Sequence, residues 1–540
     1  MKEMQQETTE DNRLGDGMTT AANWIVRITG TVIFLVLTWY SLRYTQYMIV
    51  GGDEIAHNVK DSVVGNCLAL AFGISLAGLL WFFAKRVAVR IQERIMRVCV
   101  AFSVLWIGGW GYWWISVVDR QPEGDQAFLY GAATYFSKGD FAFLKPGGYC
   151  GLCPHQLPLI AMIELLYLVV GLHNYFACQV VCTLLAAGIV WLGYRLLWEM
   201  TQNPGAVILY SIVMLGCLPL IFYTGWVYGD VPSIFFTMLA AWSLLRYERT
   251  EHVRWLTVLV LATTFALLVR LHSAVFLIAL CLVGAVYILR KKDLKLLAAL
   301  VLAVILPIIA YQGVFKMYEI RSGLPHAKGM PSLSYISMGM QDIYDRCGWY
   351  TTYCAEVFEM AGDDPVLAAE ISKQDIAKRL EEFRADPAYA WGFYREKVLS
   401  QWNEPLYQSL YFGNKFRVPL KEAQAAFVDR LKLEAFDNLL LICDRMQFVI
   451  YVGIIFYFVL AVRAKSNILQ HLMAVTLIGG FLFSIIWEAK ARYIMPYYVT
   501  MFPIAVMGYW ELVGRAVQIR ERFGQRTQME EDVPPVEEVA

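Results

Sequence analysis

The chain has 540 residues, of which 58% are apolar or aromatic and only 17% charged, against about 25% charged in ordinary soluble domains. Surface of this kind, with 17 Trp, 31 Tyr and 30 Phe, is hidden only in a bilayer with aromatic belts at its interfaces, which excludes soluble, collagenous, disordered and small disulfide-scaffold classes. Formal charge balances at 46 basic against 46 acidic residues, so no global field recruits nucleic acid.

Residues 1–22 are polar and read as a disordered cytoplasmic tail. A helix crosses the hydrocarbon core with about 20 apolar residues. Stretches of that kind follow at 24–48, 64–84, 98–117, 177–197, 205–223, 232–247, 255–271, 273–289, 296–314, 444–462, 467–487 and 493–513. A further stretch, 157–172, is shorter, contains Pro158 and Glu164, and closes on Gly171. It is read as a re-entrant or juxtamembrane helix. Only then do Lys85/Arg86/Arg90/Arg94/Arg97, Arg246/Arg249/Arg254, Arg290/Lys291/Lys292/Lys295, Arg463/Lys465 and Arg515/Arg520/Arg522/Arg526 share one side. That side is the cytoplasm, because short cytoplasmic loops collect Lys and Arg.

The chain therefore divides into the tail 1–22, two N-terminal spans with a basic loop at 23–97, a transmembrane core at 98–314, an external segment at 315–443, C-terminal spans at 444–514 and a second cytoplasmic tail at 515–540. The predicted fold is an all-α polytopic membrane protein of about 12 transmembrane helices, with a juxtamembrane helix and a large external loop domain. Both termini face the cytoplasm. Loops longer than about 15 residues are usually functional, so the external loops 118–176 and 315–443 are where the chemistry is expected. Within 315–443, Trp391, Trp402 and Tyr407 are expected packing anchors.

Loop 118–176 carries Asp119 directly after a span, Asp125 at the start of a helical stretch, and the run Tyr149-Cys150, Cys153-Pro154-His155-Gln156. An Asp at a span end is commonly only a helix cap. The topology, however, brings others to the same membrane level: Asp230 at the outer end of the fifth span, Arg270 and His272 in a tight outer turn, and Glu488, Lys490 and Arg492 between the last two spans. Ionisable groups at a membrane edge are costly and by default functional candidates.

The pattern Gly124-Asp125-Gln126…Tyr130…Gly139-Asp140-Phe141, followed by Tyr149…Pro154-His155-Gln156…Pro158, resembles the GT-C class of membrane glycosyltransferases, nearest to the bacterial branch of the protein O-mannosyltransferase and aminoarabinose-transferase group. The resemblance covers residues 98–310 and the final spans. It implies an inverting enzyme of the bacterial plasma membrane that takes a sugar from a polyprenyl-phosphate donor on the external face and passes it to a glycan, lipid or protein acceptor. By the same resemblance Asp125 matches the essential first-loop Asp. Gln126 departs from the usual Glu, and Cys153-Pro154-His155-Gln156 departs from Pro-Pro-Leu.

The residue types suit that chemistry on their own. Inverting transfer needs a carboxylate to take the acceptor proton, a role for Asp125 with Asp119 as second candidate. It needs cations on the leaving phosphate, which Arg270 and Arg492 supply as planar forks, with Lys490 and His272 beside them. His155, Gln156, Tyr149, Asp230 and Glu488 are expected to line the substrate. A divalent cation on Asp119, Asp125 and His155 is conceivable, although no ligand spacing demands one. External Cys150, Cys153, Cys347 and Cys354 are expected to form disulfides that pin the loops. The rival readings are a transporter or flippase, a lipid-linked oligosaccharide polymerase or ligase, and a thiol oxidoreductase built on Cys150 and Cys153. Charges at the outer edge, no visible repeat and the long external segment favour an enzyme.

Overall fold

The structure, a computed structural model, describes residues 2–49, 55–343, 346–410, 426–427 and 429–531. Helix α1 (Lys2–Ser41) starts well before the first apolar residues. The segment read as a disordered tail thus continues the first span. It contains no Pro, and Glu, Gln, Lys and Met sustain a helix once one is nucleated by a neighbouring span. Asp16 also pairs with Arg290 at 2.7 Å, which fastens this extension to the core.

A two-stranded antiparallel ribbon, β1 (Tyr44–Met48) and β2 (Ala56–Lys60), leads into α2 (Val63–Arg86). Ser62 caps α2 by accepting from Gly65 N at 3.1 Å. Helix α3 (Val89–Val118) ends on Asp119, and the first outer loop then carries α4 (Asp125–Ser137), α5 (Tyr149–Leu152) and α6 (Leu157–Val170). Residues 142–152 and 154–170 meet at 101°. Helix α6 has 14 residues, about 21 Å of helix against a hydrocarbon core of about 30 Å.

The core continues with α7 (Tyr175–Thr201), the bent pair α8 (Pro204–Met214) and α9 (Leu218–Phe222), α10 (Asp230–Thr250), α11 (Arg254–Val269), α12 (Ala274–Lys291) and α13 (Leu294–Ser322). Helix α7 packs between α3 and α10, and α11 between α10 and α13. Among the described residues, eight helices are long and apolar enough to cross a bilayer, or up to ten if each of two bent pairs is one span. All twelve stretches expected to span are largely helical. Helix α11, however, has only 16 residues, and α10 carries charge in its last turns. The fold is that of an all-α polytopic membrane protein.

Beyond its apolar part α13 reaches over the loop. Arg321 bonds both oxygens of Glu164 at 2.9 and 3.0 Å and the Phe136 carbonyl at 2.9 Å, so it ties the end of α4 to α6. Segment 315–443 adds α14 (Ser332–Met338), a short ribbon of β3 (Asp342–Ile343) and β4 (Arg346–Cys347), then α15 (Tyr353–Met360), α16 (Pro365–Ala385) and α17 (Pro387–Trp402). Three C-terminal helices follow, α18 (Phe436–Phe456), α19 (Leu472–Ile486) and α20 (Met495–Glu531). The last continues into the segment read as a tail as far as Glu531, with no Pro between 515 and 531, and residues 532–540 lie outside the described residues. Trp402 and Tyr407 are fully buried, whereas Trp391 is 65% exposed and anchors nothing.

Helix α17 lies against the outer end of α19. Trp402 Nε1 donates to Ser484 Oγ at 2.9 Å, and the fully buried Lys397 donates to the Gly339 carbonyl and, at 2.9 Å, to that of Ile485. Two carbonyls match the two N–H bonds of a neutral amine. Burial pulls the Lys397 ammonium down to about 7, against the attraction of Glu488 and Cys347. The folded state therefore favours the neutral form. Its stabilisation is complete above the unfolded value of 10.5, declines as pH falls toward 7, and is lost below that. The thermal unfolding temperature of the wild type is expected to rise from pH 7 to pH 10 relative to that of Lys397→Met. Parallel curves for the two proteins would show that Lys397 is not buried as described.

Candidate active site

The ends of these helices on one side of the bundle bring five segments to one place. Asp125 opens α4, where the helix N-terminus favours a negative charge, and its side chain is exposed. Its Oδ2 accepts from the Tyr228 hydroxyl at 3.1 Å. The same hydroxyl lies 2.9 Å from that of Tyr149 and accepts from Gln156 Nε2 at 3.1 Å, while Gln156 Nε2 lies 3.3 Å from His155 Nε2. Tyr228 is thus the hub on which Asp125, Tyr149 and the His155-Gln156 pair converge.

The next two residues explain how Tyr228 is held. Gly229 has φ +88°, and a Cβ there would lie 2.3 Å from the Val269 carbonyl oxygen, so only glycine lets this turn pass against the end of α11. Asp230, fully buried, then starts α10 and pairs with Arg270 Nε at 3.0 Å. Arg270 Nη1 donates to the Tyr228 carbonyl at 3.1 Å, and its guanidinium lies 5.2 Å from the Tyr228 ring centre.

Arg492 approaches from the other side. Its guanidinium lies 5.1 Å from the Tyr228 ring and 5.4 Å from that of Tyr493, and Asp230 and Asp125 both act on its charge. Its backbone N–H donates to Gln408 Oε1 at 3.0 Å. Tyr493 OH donates to Glu488, whose carboxyl burial pushes above the ordinary carboxylate range, opposed by Lys490, Tyr493 and Arg492. Lys490 lies 4.4 Å over the Tyr350 ring, so segment 315–443 covers this corner. His272 Nε2 and Tyr497 OH are 2.6 Å apart, beside the Tyr493 ring.

Asp125, Asp230, Glu488, Arg270, Arg492, Lys490, His155, Gln156, Tyr149 and His272 therefore belong to one connected neighbourhood. Asp119 sits at the left-handed C-cap of α3 with φ 44° and takes no part in the hydrogen bonds and ion pairs above. Among the described residues no three His, Cys, Asp or Glu side chains gather as a metal site. Asp125 faces Tyr228 and His155 faces Gln156.

Gln126 is fully buried, and its Oε1 accepts from Tyr175 OH at 2.5 Å and from Val227 N at 3.1 Å. A glutamate would bury a charge at that point, whereas the amide fixes the loop bearing Tyr228 without one. Tyr228 and Arg120, buried with its guanidinium 4.4 Å over Trp226, are the residues the sequence reading did not single out. The adjacency of Tyr228 to Asp230 at a span end was the signal available for it.

The cysteines correct an expectation. Cys150, Cys153, Cys347 and Cys354 are all free thiols. Each has a separate neighbour: Cys153 Sγ lies 4.0 Å from Tyr335 OH, Cys347 Sγ 3.9 Å from Asp342 Oδ1 and Cys354 Sγ 3.8 Å from Met338 Sδ, while Cys150 is buried in the main core.

Residues 157–311, from α6 through most of α13, match the family model for dolichyl-phosphate-mannose-protein mannosyltransferase. No curated protein and no solved structure matches the chain. The matched stretch contains Asp230, Arg270 and His272 and leaves Asp125, Lys490 and Arg492 outside it. Together with the apolar helices, the match indicates a multi-pass membrane glycosyltransferase of GT-C type.

Proposed function

We propose that this chain transfers a sugar from a polyprenyl-phosphate donor to an acceptor hydroxyl of the cell envelope, with Asp125 as general base and Arg270 and Arg492 on the donor phosphate. The observation that carries the reading is Tyr228. Its hydroxyl holds Asp125, its carbonyl holds Arg270, and its ring lies beside both guanidinia. Base and phosphate-binding cations are thereby registered to one side chain. In the reaction the acceptor oxygen attacks the anomeric carbon and the carbon–oxygen bond to phosphate breaks. The acceptor proton passes to Asp125, and polyprenyl phosphate leaves with one more negative charge than the diester had.

Asp125 suits the base because it is the exposed carboxylate of the group, whereas Asp230 and Glu488 are buried. Lys490 and His272 supplement the cations, and His155, Gln156 and Tyr149 border the space in front of Asp125. The acceptor is a glycan, lipid or protein, the membrane is the bacterial plasma membrane, and both termini are cytoplasmic.

The direct test is to incubate the purified protein with a polyprenyl-phosphate sugar and envelope acceptors and to measure polyprenyl phosphate released. Stoichiometric release with a new glycoside supports transfer, whereas vesicle uptake without bond cleavage would replace it with a carrier. Arg492→Ala is expected to weaken donor binding as well as turnover, by about tenfold or more in donor KM, because the ground-state diester already carries the charge that the fork meets. An unchanged KM would take Arg492 off the phosphate.

A further inference from the structure

At the far ends of α7 and α10 from the site lies a second basic cluster. Glu199, whose side chain is 1% exposed, is ringed by three arginines: Arg246 and Arg249 at 3.2 Å and Arg195 at 3.7 Å. Helix α10 begins at Asp230 in the candidate site and has 21 residues, about 30 Å at 1.5 Å per residue, which is the thickness of a hydrocarbon core. The cluster therefore lies at the opposite membrane interface.

One carboxylate leaves an excess of two positive charges among groups whose side chains are 24%, 25% and 45% exposed. Half-buried charge of one sign at a membrane edge calls for a counter-ion. The walls are aromatic: the Arg195 guanidinium lies 5.6 Å from Trp191 and 5.1 Å from Trp242, and that of Arg246 lies 5.6 Å from Trp255. Trp242 is 8% exposed, yet among the described residues its indole N–H has no acceptor, and neither does that of Trp255, nor Arg195 Nε, nor Arg246 Nε. Four donors without acceptors thus meet at one place. Above them α7 presents Trp191, Leu184 and Val181 outward at helical spacing, an apolar track away from the interface. Glu248, among Lys291 and Arg249, is the other acid nearby.

We propose that Arg195, Arg246 and Arg249, with the indole N–H groups of Trp242 and Trp255, hold the phosphate of an anionic phospholipid in the leaflet opposite the candidate active site, its acyl chain lying along Val181 and Leu184. Phosphate oxygens match the arginine forks, and the indole N–H groups are donors of the kind that tryptophan offers headgroups at an interface. The proposal does not depend on the reaction proposed above.

The test is native mass spectrometry of the full chain released from bilayers of phosphatidylcholine containing about a fifth phosphatidylglycerol. The wild type is expected to retain phosphatidylglycerol in preference to phosphatidylcholine, and Arg249→Gln to weaken that retention about tenfold. Glu199→Gln removes the internal competitor for the arginines and is expected to tighten it. A cluster that only clasps α7 to α10 gives the opposite result for Glu199→Gln: lower thermal stability and no gain in lipid. That outcome overturns the proposal, as does equal retention of the two lipids by the wild type. Trp242→Phe, which keeps the ring and removes one donor, serves if a charge variant fails to fold, and it should also lower retention. Displacement of the lipid by millimolar inorganic phosphate would reassign the site to free phosphate and overturn the lipid occupant.

Discussion

Replacing Asp125 by Asn is expected to lower turnover with a polyprenyl-phosphate sugar by at least ~10²-fold while donor binding is nearly kept. The amide preserves size and can still accept from the Tyr228 hydroxyl, so the hub stays assembled. What it loses is the basic oxygen that takes the acceptor proton, an interaction made mainly in the transition state. Steady-state rates and donor affinity measured side by side separate this from a folding defect. Near-wild-type transfer by Asp125→Asn would move the base to Asp119, and near-wild-type transfer by the double variant would remove the mechanism.

The second large effect falls on stability. Arg270→Ala is expected to destabilise the protein by about 3–5 kcal/mol, the cost of leaving a buried carboxylate without its partner. Asp230 has no exposed surface, and Arg270 Nε at 3.0 Å is its ion-pair partner. Adding Asp230→Asn to Arg270→Ala should recover much of the thermal unfolding temperature and none of the transferase activity. If the double variant regained activity, Arg270 would serve only to neutralise Asp230. If Arg270→Ala alone unfolded like the wild type, the pair would not be buried as described.

Much of this was legible in the sequence because membrane constraints are coarse. Apolar runs of spanning length located the helices, and basic loops marked which ends of them belong together. Placing Asp125, Asp230, Arg270 and Arg492 at one level followed from counting spans. Tyr228 was not legible, since its role depends on Asp125, Tyr149 and Gln156 arriving from three other segments, and tyrosine near a membrane edge is ordinarily an interface anchor. The cysteines misled for the opposite reason. Shared location outside the membrane allows a disulfide, but pairing needs thiols facing each other, and these face Tyr335, Asp342 and Met338. The terminal extensions of α1 and α20 were read from polarity, which says little about helix where no proline intervenes.

The parallel bridge between Trp349 and Ala489, with Ala489 N donating to the Gly348 carbonyl at 2.7 Å, joins segment 315–443 to the cationic turn of the site. Lys490 follows Ala489 directly and Arg492 comes two residues later. Tyr335 stacks on Trp487 at 5.3 Å just before them. Arg492 is therefore anchored through this bridge to segment 315–443, while Asp125 rides on α4, braced separately by Arg321. The acid and the cation thus reach Tyr228 from two separately braced pieces of the chain.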